Sequence, residues 1–283
     1  MVRRPVGHHL HGDGALLVTS GAERVEPVGE RAGRVESGER PESLRGLVMG
    51  ARVVLWDFDG PVCRLFAGHP ADGVARGLVD WLAAVGHDGL LTREERDHPD
   101  PFLLLAAVDR ESSHGDVVAE FEERLTREEL RAVATARPTP YADALIRTWA
   151  AQGVGLAVTT NNSPRAVSAY LESRGLLACF TPHVTPHVTP HVYGRTRDPR
   201  LLKPDPYTLE RALRAWGVAP GHALMVGDSP ADVAAAGKAG VPFLGYARNG
   251  RKEEQLRSAG AEVLVHSLEE VLRMVRDWPA PGR

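Results

Sequence analysis

The chain has 283 residues, 43% of them hydrophobic, with 34 basic against 37 acidic side chains and two cysteines. That length and apolar content support one large or two modest domains with a real core. A net charge of −3 leaves no electrostatic footprint for nucleic acid. Cys63 and Cys179 make no disulfide framework, and no apolar run nears the roughly 18 residues that span a bilayer. The expectation is a cytoplasmic protein with reduced thiols and neither a membrane nor a nucleic-acid partner. Its lysines are only Lys203, Lys238 and Lys252, the other basic residues being arginine. Each lysine is therefore worth attention, although Lys238 and Lys252 read as surface charges.

Residues 1–50 hold seven arginines, seven acids and no aromatic residue. Such a segment buries too little surface to offset its ordering entropy, so it reads as a flexible N-terminal extension. An equally open reading has translation begin at Met49. Arg3 and Arg4 are not followed by the apolar region of a signal peptide. His8, His9 and His11 lack acidic or cysteine partners at metal-binding spacing.

The run Val53-Val54-Leu55-Trp56 then leads into Asp57-Phe58-Asp59-Gly60. Continuous apolar residues of this length predict a strand, about 52–57, buried on both faces as in a parallel sheet. Gly60-Pro61 ends it. From 64 to 137 the pattern turns helical. Val74, Leu78, Trp81, Leu82 and Val85 recur at three- and four-residue spacing, and Phe102–Val108, Val117–Leu125 and Glu128–Ala136 read as further helices. Strands and helices alternate from there on. Helices are expected at 141–152, 163–174, 205–216, 230–239, 253–259 and 267–276. Strands are expected at 154–159, 223–226, 241–246 and 262–265. This alternation predicts βαβ units and an α/β fold with a parallel sheet.

Between these elements lies a perfect triple repeat of Thr-Pro-His-Val from Thr181 to Val192. His183, His187 and His191 fall four apart, but Pro182, Pro186 and Pro190 forbid the helix that would stack them. The repeat reads as slippage within a surface loop.

The chemistry collects at strand ends and helix starts. The first strand ends in Asp57 and Asp59. The second ends in Thr159, Thr160, Asn161 and Asn162. A loop carries Lys203-Pro204-Asp205-Pro206. A later strand ends in Gly227-Asp228-Ser229-Pro230, with Asp232 four residues past Asp228. In a parallel sheet the carboxyl ends of the strands share one rim, where ligands bind. Ser163-Pro164, Asp205-Pro206 and Ser229-Pro230 each set a capping residue before proline, and the N–H groups of such helix starts suit phosphate oxygens. Crowded carboxylates need a cation, and an all-oxygen set suits a hard ion such as Mg²⁺ rather than zinc.

In order, the motifs DFDG at Asp57–Gly60, Thr160 followed by Asn161, Lys203 in KPDP, and GDSPAD from Gly227 to Asp232 resemble those of the haloacid dehalogenase-like (HAD) hydrolase superfamily. The resemblance covers about residues 51–275. It implies a Rossmann-like parallel core at 51–63 and 138–278, with an inserted α-helical type-1 cap at 64–137. It also implies Asp57 as a nucleophile forming an aspartyl-phosphate, and Asp59 as general acid and then base. Mg²⁺ would be held by Asp57, the Asp59 carbonyl and Asp228. Asp232 would hold a metal-bound water or orient Lys203. Thr160 and the following N–H, that of Asn161, would bind the phosphoryl oxygens, although Thr159 could instead supply the hydroxyl. Lys203 would stabilise the charged intermediate.

The implied activity is that of a Mg²⁺-dependent phosphatase acting on a small phosphate ester. A sugar phosphomutase, or an inactive binding protein that keeps the fold, remain as alternatives. Asp59 argues against a dehalogenase, which has no leaving alkoxide to protonate. The absence of lysine from 64–137 argues against a phosphonatase that forms a Schiff base in its cap. One residue departs from the motif: Pro61 stands where threonine commonly follows DxDG.

Overall fold

The computed structural model describes residues 43–112, 115–181 and 189–277. Its first element is a short helix, α1 (Leu44–Gly50), opened by Ser43, whose hydroxyl accepts from the Gly46 N–H. This helix falls inside the stretch expected to be a flexible extension. Leu47 and Val48 are buried in the main core with Val271 and Leu272 near the C-terminus, so residues 44–50 are part of the folded unit. Residues 1–42, including the three early histidines, lie outside the described residues.

The first strand, β1 (Val53–Trp56), is buried along its whole length. A two-residue strand, β2 (Cys63–Arg64), follows. The inserted helices come next: α2 (Ala71–Ala84), α3 (Arg93–Arg96), α4 (Pro101–Glu111) and α5 (Gly115–Val133). Strand β3 (Arg137–Pro138) then pairs antiparallel with β2, so the insertion leaves and rejoins the core through one small ladder. The remaining elements are α6 (Ala142–Ala151), β4 (Gly155–Thr159), α7 (Pro164–Ser173), β5 (Val192–Tyr193), α8 (Tyr207–Trp216), β6 (Ala223–Gly227), α9 (Pro230–Ala239), β7 (Phe243–Tyr246), α10 (Gly250–Ser258), β8 (Leu264–Val265) and α11 (Leu268–Arg276).

Six strands form one parallel sheet in the order β5-β4-β1-β6-β7-β8. β1 lies between β4 and β6, with Trp56 level with Val158 and Val226. Strand alternation divides the core. Val54, Trp56, Leu156, Val158, Leu224 and Val226 face α6, α7 and α11, where the Trp56 ring meets Trp149 edge-on at 5.7 Å. Val53, Leu55, Ala157 and Met225 face α8 and α9, against Leu209, Ala212, Ala235 and Ala236. Fully burying side chains of this size contributes roughly 1.5–3 kcal/mol each, so the central strand is a firmly anchored platform for the residues that follow it.

The inserted helices bury their own cluster, which includes Leu78, Leu82, Leu104, Leu105, Phe121 and Leu125. Two helices were expected over 117–136, yet α5 is continuous. No glycine or proline interrupts residues 117–133. Glu120–Arg124 at 3.0 Å and Glu123–Arg127 at 3.2 Å support its exposed face at four-residue spacing. The Thr126 hydroxyl donates to Glu122 at 2.9 Å rather than breaking the helix.

The histidine repeat is described only at its ends, since residues 182–188 lie outside the described residues. Its last unit departs from the surface-loop expectation. His191 is buried, 2.7 Å from the Tyr193 hydroxyl and 4.5 Å from the Trp216 ring, and Val192 opens β5. Among the described residues, no helix is long and apolar enough to cross a membrane.

Candidate active site

β1 delivers Asp57 to the carboxyl rim of the sheet, where its N–H continues the ladder to Val226 O at 2.9 Å. Lys203 reaches the same point from the loop before α8. Its buried ammonium donates to Asp57 Oδ1 at 2.7 Å, to Asp232 Oδ1 at 2.5 Å and to the Thr159 carbonyl at 2.9 Å. Asn161 fixes that lysine from behind. Its Oδ1 accepts from the Lys203 N–H at 2.7 Å, and its Nδ2 donates to the Lys203 carbonyl at 3.1 Å.

Asp232 lies in the first turn of α9 and uses its two oxygens separately. Oδ2 accepts from the N–H groups of Asp228 and Ser229 and from the Ser229 hydroxyl, while Ser229 caps the helix in return. Oδ1 takes Lys203. The acid expected to orient Lys203 therefore also closes the start of α9.

Asp57, Asp228 and Asp232 each offer a carboxylate oxygen, and these atoms lie within 4.8 Å of one another. All three residues are buried. Asp59 is close in sequence but directed elsewhere: its Oδ1 accepts the Leu65 N–H at 2.8 Å, at the start of the insertion. Its carboxylate is thus not one of the three. Thr160 stands at the end of β4, where its hydroxyl donates to Asn162 Oδ1 at 3.0 Å and accepts from the Asn162 N–H at 3.2 Å. The Thr159 hydroxyl instead meets the Met225 sulfur inside the sheet at 3.4 Å. Of the two threonines, the one whose hydroxyl lies at the rim is Thr160.

The electrostatics follow from burial. Burial and the neighbouring Asp232 charge push the Asp57 carboxyl up to about 7, against the pull of Lys203. Burial pushes Asp59 up to about 6, while the Leu65 N–H favours its ionised form. Asp228 is also raised, chiefly by burial, with Lys252 acting the other way. Burial works against the Lys203 charge, but Asp232 and Asp57 outweigh it and hold the ammonium above its ordinary range. Burial and crowding thus work against the ionised carboxylates, and oxygen-only donors of this kind fit a hard divalent cation, which would favour them.

Lys252 is the second ammonium, and it corrects the surface-charge reading. From the first turn of α10 its Nζ lies 2.8 Å from Asp228 Oδ2 and 2.9 Å from the Asp228 carbonyl. Lys238 does remain exposed, with its ammonium on the Pro204 carbonyl at 2.9 Å.

The first loop explains why Pro61 is tolerated. The turn closes through Gly60 N–H to Cys63 O and through Cys63 N–H to Phe58 O, so proline between them interrupts neither bond. Gly60 itself has φ 141°, and a Cβ there would overlap the Asp228 carboxylate. Gly60→Ala is therefore expected to destabilise the fold by about 1–3 kcal/mol from backbone strain alone. It should also weaken divalent-cation binding by displacing Asp228. Denaturant unfolding with and without the cation checks both effects, and an unchanged midpoint would remove the strain argument.

An acid cluster and a buried lysine on the carboxyl rim of a parallel sheet, with helices inserted after its first strand, define a protein of the parallel α/β class with its candidate site at the strand ends. The haloacid dehalogenase-like hydrolase family model matches residues 51–240, and the chain belongs to that family. A phosphoglycolate phosphatase of Rhodospirillum rubrum is 37% identical over 157 residues, covering 53% of this chain and 57% of that protein. A second, from Thiobacillus denitrificans, is 30% identical over 191 residues, covering 66% and 72%. The chain thus matches little more than half the length of the first relative. Among solved structures, CbbY from Rhodobacter sphaeroides in complex with phosphate superposes with a TM-score of 0.54 at 22% identity, covering 80% of this chain and 99% of that one. At that identity the likeness concerns the fold.

Proposed function

We propose that the protein is a Mg²⁺-dependent phosphatase that hydrolyses a small phosphate monoester through an aspartyl-phosphate on Asp57. The observation that carries this reading is the convergence of Asp57, Asp228 and Asp232 within 4.8 Å, with the Lys203 ammonium on Asp57 Oδ1. An Asp57 oxygen attacks phosphorus, and the bond from phosphorus to the ester oxygen breaks. Asp59 gives its proton to the leaving oxygen. Asp59 then takes a proton from water, whose oxygen attacks the phosphoryl group, releases inorganic phosphate and restores Asp57. A group pushed up to about 6 suits both tasks near neutrality. Lys203 holds charge opposite the phosphoryl oxygens, and Thr160 with the Asn161 N–H receives them. Mg²⁺ held by Asp57, Asp228 and Asp232, with the Asp59 carbonyl as a further ligand, would neutralise the approach of one anion to another. Because two relatives bear the name phosphoglycolate phosphatase, phosphoglycolate is the first candidate substrate in this class.

The test is phosphate release from p-nitrophenyl phosphate and from a panel of phosphorylated metabolites that includes phosphoglycolate. Release should require Mg²⁺ and stop with EDTA; EDTA-resistant release would sink the metal assignment.

The metal response should also depend on pH. A carboxyl whose folded pKa, about 7, exceeds its ordinary 3.8 withdraws stability as pH rises between those values. A cation that binds the ionised form restores that stability. The Mg²⁺-induced rise in Tm should therefore be larger at about pH 8 than at about pH 5.5. Thermal scans over a Mg²⁺ titration at both values measure it, and an equal rise at both would contradict the ligand assignment.

A further inference from the structure

Beneath the rim lies a buried polar cluster that joins the insertion to the turn after β4. Glu129 sits on α5 and is fully buried. Its carboxylate accepts from Asn162 Nδ2 at 2.9 Å and from the Ser163 N–H at 3.1 Å. Arg195, two residues past β5, is buried against it, with Nη1 on Oε1 at 3.2 Å and Nη2 on Oε2 at 2.8 Å. The guanidinium also donates to the Asn161 carbonyl at 3.0 Å, to Thr126 Oγ1 at 2.9 Å and from Nε to Glu122 at 3.1 Å. These five bonds match the five N–H donors of an arginine. The backbones are equally close. The Arg195 N–H donates to the Asn162 carbonyl at 3.0 Å, and a Cβ at Gly194 would overlap that carbonyl and the Pro164 ring.

The cluster therefore holds Asn161, Asn162 and Ser163, and through Asn162 it holds the Thr160 hydroxyl. A buried arginine–carboxylate pair is weak evidence for stability in itself, since its desolvation offsets much of its attraction. What it supplies is geometry, because the planar fork fixes direction as well as distance.

We propose that Glu129 and Arg195 are positioning residues that hold the Thr160–Ser163 turn in the shape that receives a phosphoryl group, and that they register this turn against the inserted helices. The proposal rests on the phosphatase reading above. Neither side chain touches the reacting atoms; both act through the turn.

The test compares Glu129→Gln and Arg195→Lys with Leu171→Ala. Leu171 is a buried residue of α7 away from the turn, so its loss reports destabilisation alone. In the full-length protein, Glu129→Gln should raise KM for p-nitrophenyl phosphate and Ki for inorganic phosphate together, each by about tenfold, as expected for a lost charge-assisted bond. Its kcat should change less, and the Ser163 amide should exchange faster with solvent deuterium. Leu171→Ala should lower Tm at least as much, yet leave KM and Ki within about twofold. Should Glu129→Gln fail to fold, Arg195→Lys, which keeps the charge and loses the fork, carries the same expectation. KM and Ki that stay within twofold in the variants, with unchanged Ser163 exchange, would overturn the proposal. If the wild-type protein hydrolyses no phosphate monoester, the phosphatase reading fails separately, and exchange at Ser163 still decides whether the turn is held in this way.

Discussion

Asp57→Asn is expected to reduce phosphate release by at least about 10³-fold, as removal of a nucleophile does. The change removes one charge and almost no volume. The amide cannot attack phosphorus with a full negative charge, and no neighbour can replace it. Asp228 is held by Lys252 and Asp232 by Lys203 and the start of α9, and the Asp59 carboxylate is turned to Leu65. Lys203 would keep Asp232 and the Thr159 carbonyl as partners, so the fold should survive. Without a metal, Tm should hold or rise, because one of three crowded carboxylates has been neutralised. Phosphate release and thermal unfolding separate the two effects. Activity equal to that of the wild type would sink the nucleophile assignment. A collapse of Tm with activity would leave Asp57 with a structural role.

Lys203→Met should be severe in both respects. The ammonium is buried and bridges Asp57, at the end of β1, and Asp232, in the first turn of α9. Methionine fills much of the same volume but leaves both carboxylates facing each other without their cation. Breaking such a pair from one side costs on the order of 3–5 kcal/mol. Activity should fall by roughly 10²–10³, the size expected when a fixed electrostatic contact to the transition state is lost. Denaturant unfolding and phosphate release measure these. Lys252→Met is the comparison: that ammonium touches Asp228 alone and is partly exposed, so its loss should cost less. An unfolding midpoint for Lys203→Met equal to that of the wild type would contradict the pairing argument.

The legibility of these features in the sequence follows from the distances over which they act. β1 was readable because four consecutive apolar residues can be satisfied only between two strands. The rim residues were readable because each directly follows an apolar run, and a parallel sheet brings such ends together without further information. Lys252 was harder, since its contact with Asp228 depends on how α10 starts after β7, which local pattern does not encode. Its only signal was the scarcity of lysine. The end of the repeat at His191 is not legible in the sequence, because proline spacing speaks against a helix but is silent about a following strand. Glu129 carried a clue that periodicity could have caught. It falls on the stripe of α5 marked by Val118, Phe121, Leu125 and Ala132, all buried. A glutamate in such a row requires a buried partner. Nothing nearby in sequence says that the partner is Arg195, 66 positions away.

The divided use of Asp232 constrains how this protein can change over generations. One oxygen belongs to the start of a helix and the other to the lysine on Asp57. An asparagine there would present an amide to one side or the other. Turned one way it would oppose the Lys203 ammonium, and turned the other it would oppose the Asp228 and Ser229 N–H donors. Glutamate would reach too far for the capping turn. No single step replaces both contacts, so selection for a folded protein and selection for a working one fall on the same carboxylate. Lineages that abandoned the chemistry would still be expected to retain this acid.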